Sequence, residues 1–508
     1  MDADRRGFIG LSAAFAALGL PAAGRHDARL PLGAEKMRFG AISDIHISTP
    51  AQLPYFEKTL RKLDEWKADA VLVCGDLADY GMAQELQLIA DTWFKVFPGG
   101  KGADGRPVVN LMHYGDHDMA TWYLDRSDAA KEWPSIEERK AGLIFRGDRK
   151  AIWEKCFGEP WEPIALKVVK GYPFVLSHFT RGEEGNPYGN NVPGLEAFLK
   201  AHRFDPKKPL FYSQHRITRG TAGGAHVGRC DDGTTTAILS AYPNAVAFGG
   251  DTHLCGTCEQ SIWQGAYTSI QVPSLRYCCT QSGRENGYCT RDRPPRPPVQ
   301  TMEQFPSHTN GTHQGFFCIV YENALVVRRW DFANDGSIGP DWVVPFSSFA
   351  QRASERPFSP EVRERTVPPP EFAPDAKVSL SMTRAKNRLN QLRDMVAVTF
   401  PPAVPTADGL RADDYEVTLE LFDYDVTKIL AQHRVYSPRY MHPVKLDTEP
   451  VTCLVDASEF PPDRRTIDVV VRPCNVFGRK GRPITARILD MKDLAAVASC
   501  KSAQPVKH

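Results

Sequence analysis

The sequence predicts an α/β domain followed by a small all-β sandwich. Three observations carry that expectation. From Met37 onward, short apolar runs alternate with stretches of helical periodicity. Between residues 351 and 375 periodicity is lost, and Pro368-Pro369-Pro370 appears among mixed charges. Beyond it, β-forming segments follow one another with no helix between them. Alternating strands and helices imply right-handed crossovers and a sheet covered by helices. Closely spaced strands without helices imply an antiparallel sandwich.

The first domain reads in order as strand Arg38 to Ser43, helix Tyr55 to Lys67, buried strand Ala70 to Cys74, helix Ala83 to Phe97 and strand Val108 to Met112. Strands at Pro209 to Gln214 and Ala245 to Gly249 continue the scheme, and Phe316 to Asp331 forms a hairpin turning at Asn323. In the last domain, strands are expected at Met395 to Phe400, Tyr415 to Phe422, Val451 to Val455 and Thr466 to Val471. The divisions are therefore residues 1–24, an N-terminal linker at 25–36, the α/β domain at 37–350, a Pro-rich linker at 351–375 and the β-sandwich at 376–508.

Composition narrows the partners. With 62 Lys+Arg against 61 Asp+Glu and 42% hydrophobic residues, the 508-residue chain is neither a disordered tail nor a basic nucleic-acid binder, and no specific nucleic acid is expected. No internal stretch reaches the roughly 18 apolar residues of a membrane span. The N-terminus reads Asp4-Arg5-Arg6-Gly7-Phe8-Ile9, then an apolar stretch to Leu20 and Pro21-Ala22-Ala23-Gly24. Paired arginines, a short hydrophobic segment and small residues at its end resemble a twin-arginine signal peptide, which implies the twin-arginine translocase as a partner and a periplasmic or secreted destination.

The chemistry is expected just beyond the strands, where ligands bind in open α/β sheets. Five sets stand there in order: Asp44-Ile45-His46, Gly75-Asp76-Leu77-Ala78-Asp79, Gly115-Asp116-His117-Asp118, His215 and Gly250-Asp251-Thr252-His253. Carboxylates and imidazoles converging on one edge offer the charge and the oxygen and nitrogen donors that divalent ions prefer.

These sets resemble the calcineurin-like metallophosphoesterase superfamily over about Met37 to Phe346. Its pattern is D-x-H, G-D, G-N-H-[DE], H and G-H-x-H, and its fold is a two-sheet β-sandwich core flanked by helices. Carried over, the resemblance gives Asp44, His46 and His253 to a first metal and makes Asp76 the bridge. Asp116, His215 and Asp251 fall to the second metal, His117 is the catalytic histidine, and Asp79 is the carboxylate that orients it. Asp79 also stands where purple acid phosphatases have a tyrosine ligand, so an iron-tyrosinate centre is not expected. The implied cofactors are two divalent ions, Mn, Fe, Zn or Mg. The implied activity is hydrolysis of a phosphoester small molecule or phosphorylated substrate, by in-line attack of a metal-bridging hydroxide on phosphorus with His117 as general acid.

Two positions depart from the pattern: Asp116 replaces Asn, and Asp251 replaces His. Four carboxylates could neutralise two divalent ions before an anionic substrate arrives, so compensation is expected from a harder metal or from Arg181, Arg216 or Arg219. The same departures support an alternative, a catalytically weak or inactive metal-binding module for extracytoplasmic recognition. A serine hydrolase is disfavoured because no G-x-S-x-G elbow is present. Cys255, Cys258, Cys278, Cys279 and Cys289 follow the last motif, and disulfides, thiols and a structural zinc remain open for them. The segments Ala120 to Pro163 and Cys255 to His313 are expected to cap the site, with Trp122, Tyr123, Trp133 and Trp153 packing in helices or lining a pocket. Thr466 to Ile488 resembles the closing hairpin of a fibronectin type III domain.

Overall fold

Strands β1 (Glu35–Ile42), β2 (Ala70–Cys74) and β3 (Val109–His113) alternate with helices α1 (Leu53–Glu65) and α2 (Ala83–Val96). The computed structural model describes residues 31–119, 149–180, 194–223, 230–279, 308–310, 312–387, 391–407, 409–423, 425–437, 449–461 and 466–488. The expected signal peptide, Arg181, Trp122, Tyr123, Trp133 and Cys289 lie outside these residues.

Helix α3 (Arg149–Phe157) leads into β4 (Ile164–Val169) and β5 (Tyr172–Ser177), followed by α4 (Leu195–Ala201), β6 (Leu210–Arg216), α5 (Thr234–Leu239) and β7 (Ala245–Gly250). Strands β8 (Ile262–Gln264), β9 (Thr268–Gln271), β10 (Tyr277–Cys279) and β11 (His308–Asn310) precede the hairpin β12 (Gln314–Tyr321) and β13 (Ala324–Asp331). Strands β14 (Gly336–Ser337) and β15 (Trp342–Pro345) close the region. One sheet has the order β14-β13-β12-β1-β2-β3, with β15 also on β13. The other runs β4-β5-β6-β7-β9-β8. In the first, β1, β2 and β3 are parallel; in the second, β5, β6, β7 and β9 are.

The period of two along each strand sorts side chains between two cores. In β2, Val71 and Val73 join the helix-side core, while Ala70, Leu72 and Cys74 join the core between the sheets. A strand apolar on both faces is what a buried parallel strand requires. Phe39 of β1 fills the inter-sheet space, its ring centroid 5.3 Å from those of Phe174 and Phe211 and 5.8 Å from that of Phe248. Burying one such ring is worth about 1.5–3 kcal/mol. Helix α1 lays Phe56, Leu60 and Leu63 on the outer face of the first sheet, at helical spacing. Helices α4 and α5 cover the second sheet with Leu195, Leu199 and Leu239. The layers are thus helix, sheet, sheet, helix.

Further strands are β16 (Ser379–Lys386), β17 (Leu392–Phe400), β18 (Asp414–Asp423), β19 (Val426–Tyr436), β20 (Val451–Asp456), β21 (Ile467–Cys474) and β22 (Ile484–Ile488). They form antiparallel sheets ordered β16-β17-β20 and β19-β18-β21-β22 around Val396, Val398, Val417, Leu419, Val469 and Val471.

Three features differ from the sequence reading. The hairpin β4–β5 was not anticipated. Its two-residue turn is Lys170-Gly171, both at positive φ (46° and 83°), a geometry that glycine makes cheap at only one of the two positions. Residues 351–375 are not a bare linker: Ser359 Oγ accepts from Val362 N at 3.2 Å and caps helix α6 (Pro360–Thr366), and Phe358 is buried between the sheets. The second expected cap segment contributes β8 and β9 to the second sheet, so that part of it is scaffold. Trp153 packs in the helix-side core.

Candidate metal centre

The residues after β1, β2 and β7 leave their strands through unusual backbone. Asp44, His46, Asp76, Asp251 and His253 have φ of 51°, 46°, 51°, 64° and 52°. Non-glycine residues pay for such conformations, of order 1 kcal/mol or more each. Backbone pairing offsets the cost: Asp44 N, His46 N and Ile47 N donate to Gly75, Asp76 and Leu77 carbonyls at 3.0–3.1 Å, locking the first loop to the second. Gly250 and Gly115 let the loops close in. A Cβ on Gly250 would strike Ser43 Oγ and Asp44, and one on Gly115 would strike the Asp76 carboxylate.

The loops bring all seven expected ligands together. Potential ligand atoms lie within 4.8 Å of one another in the groups Asp44/His46/His253, Asp44/Asp76/His215 and Asp116/His215/Asp251, and His117 joins His46 and Asp76 in a further group. The imidazoles fit cations for a reason visible in their hydrogen bonds. His215 Nδ1 lies 2.8 Å from Cys74 O, and His253 Nδ1 lies 3.1 Å from Tyr277 O. His46 Nδ1 faces Asp79 Oδ1 at 3.2 Å. For His215 and His253 the partner is a carbonyl that can only accept, so Nδ1 carries the hydrogen and Nε2 turns its lone pair inward; at His46 the nearby Asp79 carboxylate favours the same tautomer. There His46 and His253 Nε2 are 3.3 Å apart, His253 Nε2 is 3.1 Å from Asp44 Oδ1, and His215 Nε2 is 3.1 Å from Asp76 Oδ1 and 3.4 Å from Asp116 Oδ1. Lone pairs and carboxylate oxygens this close repel unless a positive charge sits among them.

The proton affinities say the same. Burial alone would hold His215 neutral, but Asp76, Asp116 and Asp44 raise it well above its ordinary value, so in the absence of an ion a proton supplies the missing charge. Burial should raise Asp44 and Asp116, yet His253 lowers Asp44, and His215, with His117 and Arg216, lowers Asp116 well below the carboxylate range. His46 is held below its usual value by burial and by His117, as a ligand nitrogen must be.

Asp79 sits between two imidazoles, but not as expected. Its backbone carbonyl is the close contact to His117 Nδ1, at 2.8 Å, whereas its carboxylate Oδ1 is 3.6 Å from that atom and nearer to His46. Arg276, which the sequence reading missed, donates from Nη1 to Asp79 Oδ2 at 2.8 Å and to His46 O at 2.7 Å. Tyr277 was missed too, and its ring lies 4.4 Å from that of His253. No motif marks either residue; they reach the site because β9 is a neighbour of β7. Asp118, next to His117 in the third motif, ties loops together by accepting from Leu77, Ala78 and Gly115 amides at 3.1, 2.7 and 2.6 Å.

Of the arginines considered, Arg216 reaches the centre, with Nη2 3.1 Å from Asp116 Oδ2 and Nε 3.4 Å from Asp251 Oδ2. Arg219 is exposed and directs Nη1 to Asp232 O. Cys255, Cys258 and Cys278 are buried in one cluster with Val367, Val476 and Phe477, which joins the post-motif loop to the region of the C-terminal sheets. Among the described residues no cysteine belongs to a metal-ligand group.

The order and convergence of these groups agree with the comparison to known families. Residues 37–255 match the family model described as calcineurin-like phosphoesterase. This metallophosphoesterase match covers every ligand candidate and stops short of Arg276. Among solved structures, a dimetal phosphatase from Danio rerio is 11% identical, with 61% of this chain and 99% of that chain covered and a TM-score of 0.36. A purple acid phosphatase from yellow lupin (Lupinus luteus) seeds is also 11% identical, with 62% and 55% covered and a TM-score of 0.36. No match was found among curated proteins.

Proposed function

We propose that the chain is a metal-dependent phosphoester hydrolase. The observation that carries this reading is the set of three inward Nε2 atoms and four carboxylates arranged as two adjacent groups that share Asp76. Asp44, His46, Asp76 and His253 would hold one divalent ion, and Asp76, Asp116, His215 and Asp251 the other. Such a pair, when bound, acidifies water and neutralises charge on a phosphoryl group.

The chain's own part is proton delivery and orientation. Burial would lower His117, but in the ion-free site Asp76, Asp79 and Asp116 outweigh it and raise the imidazole to about 10, which favours a proton on it. Bound cations would moderate that rise. With Nδ1 committed to the Asp79 carbonyl, Nε2 is the atom that can donate to the leaving oxygen. Arg276 places Asp79 through its bond to Oδ2: burial would raise this carboxyl, but His117 and His46, with a smaller contribution from Arg276, hold it well below its usual range.

The test is metal-reconstituted full-length protein against an aryl phosphomonoester and a phosphodiester, with Mn, Fe, Zn and Mg. Hydrolysis of neither with any metal would refute the reading. The competing reading, a weakly catalytic recognition module, draws on Asp116 and Asp251. Turnover that appears only in the double variant Asp116→Asn/Asp251→His would favour it. The proposal includes export through the twin-arginine pathway, based on Arg5-Arg6 and the apolar segment after them. Cell fractionation of wild type against Arg5→Lys/Arg6→Lys tests it, since unchanged export of the variant would refute it.

A further inference from the structure

The two halves of the centre differ in one respect that their donor lists conceal. Around Asp44, His46, Asp76 and His253 the inward contacts are carboxylate to imidazole and imidazole to imidazole. The half made by Asp116, His215 and Asp251 holds a permanent protein cation that pairs with two of its own carboxylates, because the Arg216 guanidinium spans Asp116 and Asp251, whereas His117 faces Asp76, which both halves share. Arg216 is held in turn by its position at the end of β6, directly after His215, and by the Phe179 ring 5.4 Å beneath its guanidinium. It is no surface charge: only 21% of its side chain is exposed, against 8% and 3% for the two aspartates.

We propose that Arg216 is a resident counter-ion that makes the second half the weaker metal position. Its two ion pairs withdraw charge from the oxygens that a divalent ion would need, and its own charge repels that ion at close range. The extra carboxylates at 116 and 251 therefore do not yield an unusually tight second ion; they are spent in part on Arg216. Occupancy of the second position then depends on metal concentration, whereas the first fills readily. This inference rests on the metal-centre reading but not on hydrolysis.

The experiment is calorimetric titration of chelator-stripped, full-length protein with Mn²⁺. Wild type should show two binding events of unequal affinity, and Asp251→Asn should weaken only the weaker one. Arg216→Gln should tighten the weaker event by about tenfold or more while leaving the tighter one in place. Arg216→Lys, which keeps a positive charge, should leave the weaker event within about threefold of wild type. The inference is overturned if wild type shows two equal events, or if Arg216→Gln leaves the weaker event unchanged or loosens it, the mark of a residue that merely positions Asp116 and Asp251. Absence of any Mn²⁺ binding would overturn the metal-centre reading as well.

Discussion

Glu259 lies six residues beyond His253, where the post-motif loop meets the region of the C-terminal sheets. Its side chain is 7% exposed. Oε1 is 2.6 Å from Arg329 Nη1, and Oε2 accepts from Trp342 Nε1 at 3.1 Å and from Arg363. Arg363 in turn lies over Phe358 and over Phe477, which follows β21. Glu259→Gln keeps the shape and removes the charge, leaving two arginines facing each other across a neutral amide. Breaking a buried ion network in this way costs about 3–5 kcal/mol. Arg329 would retain its bonds to the Pro340 and Gly256 carbonyls, and Arg363 is partly exposed, so the expected loss is at the lower end, about 3 kcal/mol.

The pH dependence has a definite sign. Burial would raise Glu259, but Arg329 and Arg363 hold it below its ordinary value. Its contribution is therefore complete above the unfolded carboxyl range and is lost as pH falls through the folded value. Urea unfolding of wild type and variant should show a gap that is constant from about pH 5 to 8 and closes on further acidification. A gap under about 1 kcal/mol at neutral pH, or one that widens in acid, would refute the reasoning.

Three further outcomes follow from the same geometry. His117→Gln should lower kcat by about 10²–10⁴-fold at unchanged metal stoichiometry, measured by steady-state kinetics with metal analysis; loss of metal instead would make His117 a ligand. Arg276→Met should lower kcat about tenfold or more by releasing Asp79 and the His46 carbonyl, with partial recovery in Arg276→Lys. Stripping metal should lower unfolding free energy by about 2.7 kcal/mol relative to protein held at a hundredfold excess over Kd, and superimposable unfolding curves would contradict a metal centre.

The sequence legible on its own was local. Apolar runs flanked by turn residues marked β2, β3 and β7 to within one residue, because a parallel strand buried on both faces is apolar along most of its length, whereas β1 begins three residues earlier and β6 ends two residues later than their apolar runs indicate. The same regularity placed Asp44, His46, Asp76, Asp116, His117, His215, Asp251 and His253 at strand ends, where parallel topology makes them neighbours. Other elements left weaker marks. The β4–β5 hairpin turns on a Lys-Gly pair rather than Asn-Gly, and α6 begins inside a segment whose prolines and charges looked like linker.

What the chain order could not contain was the contact made across sheets and between loops far apart in sequence. Arg276 and Tyr277 enter the site because β9 pairs with β7, and no motif records that pairing. Arg219 and Arg216 are equally basic and three residues apart, yet one faces solvent and the other clamps two aspartates. Asp79 meets His117 through its carbonyl because the backbone after β2 turns the carboxylate toward His46 and Arg276. Residue type and strand position set which groups gather at the centre. Which atom of each group faces which partner depends on backbone direction and long-range packing, and only the tertiary structure decides those.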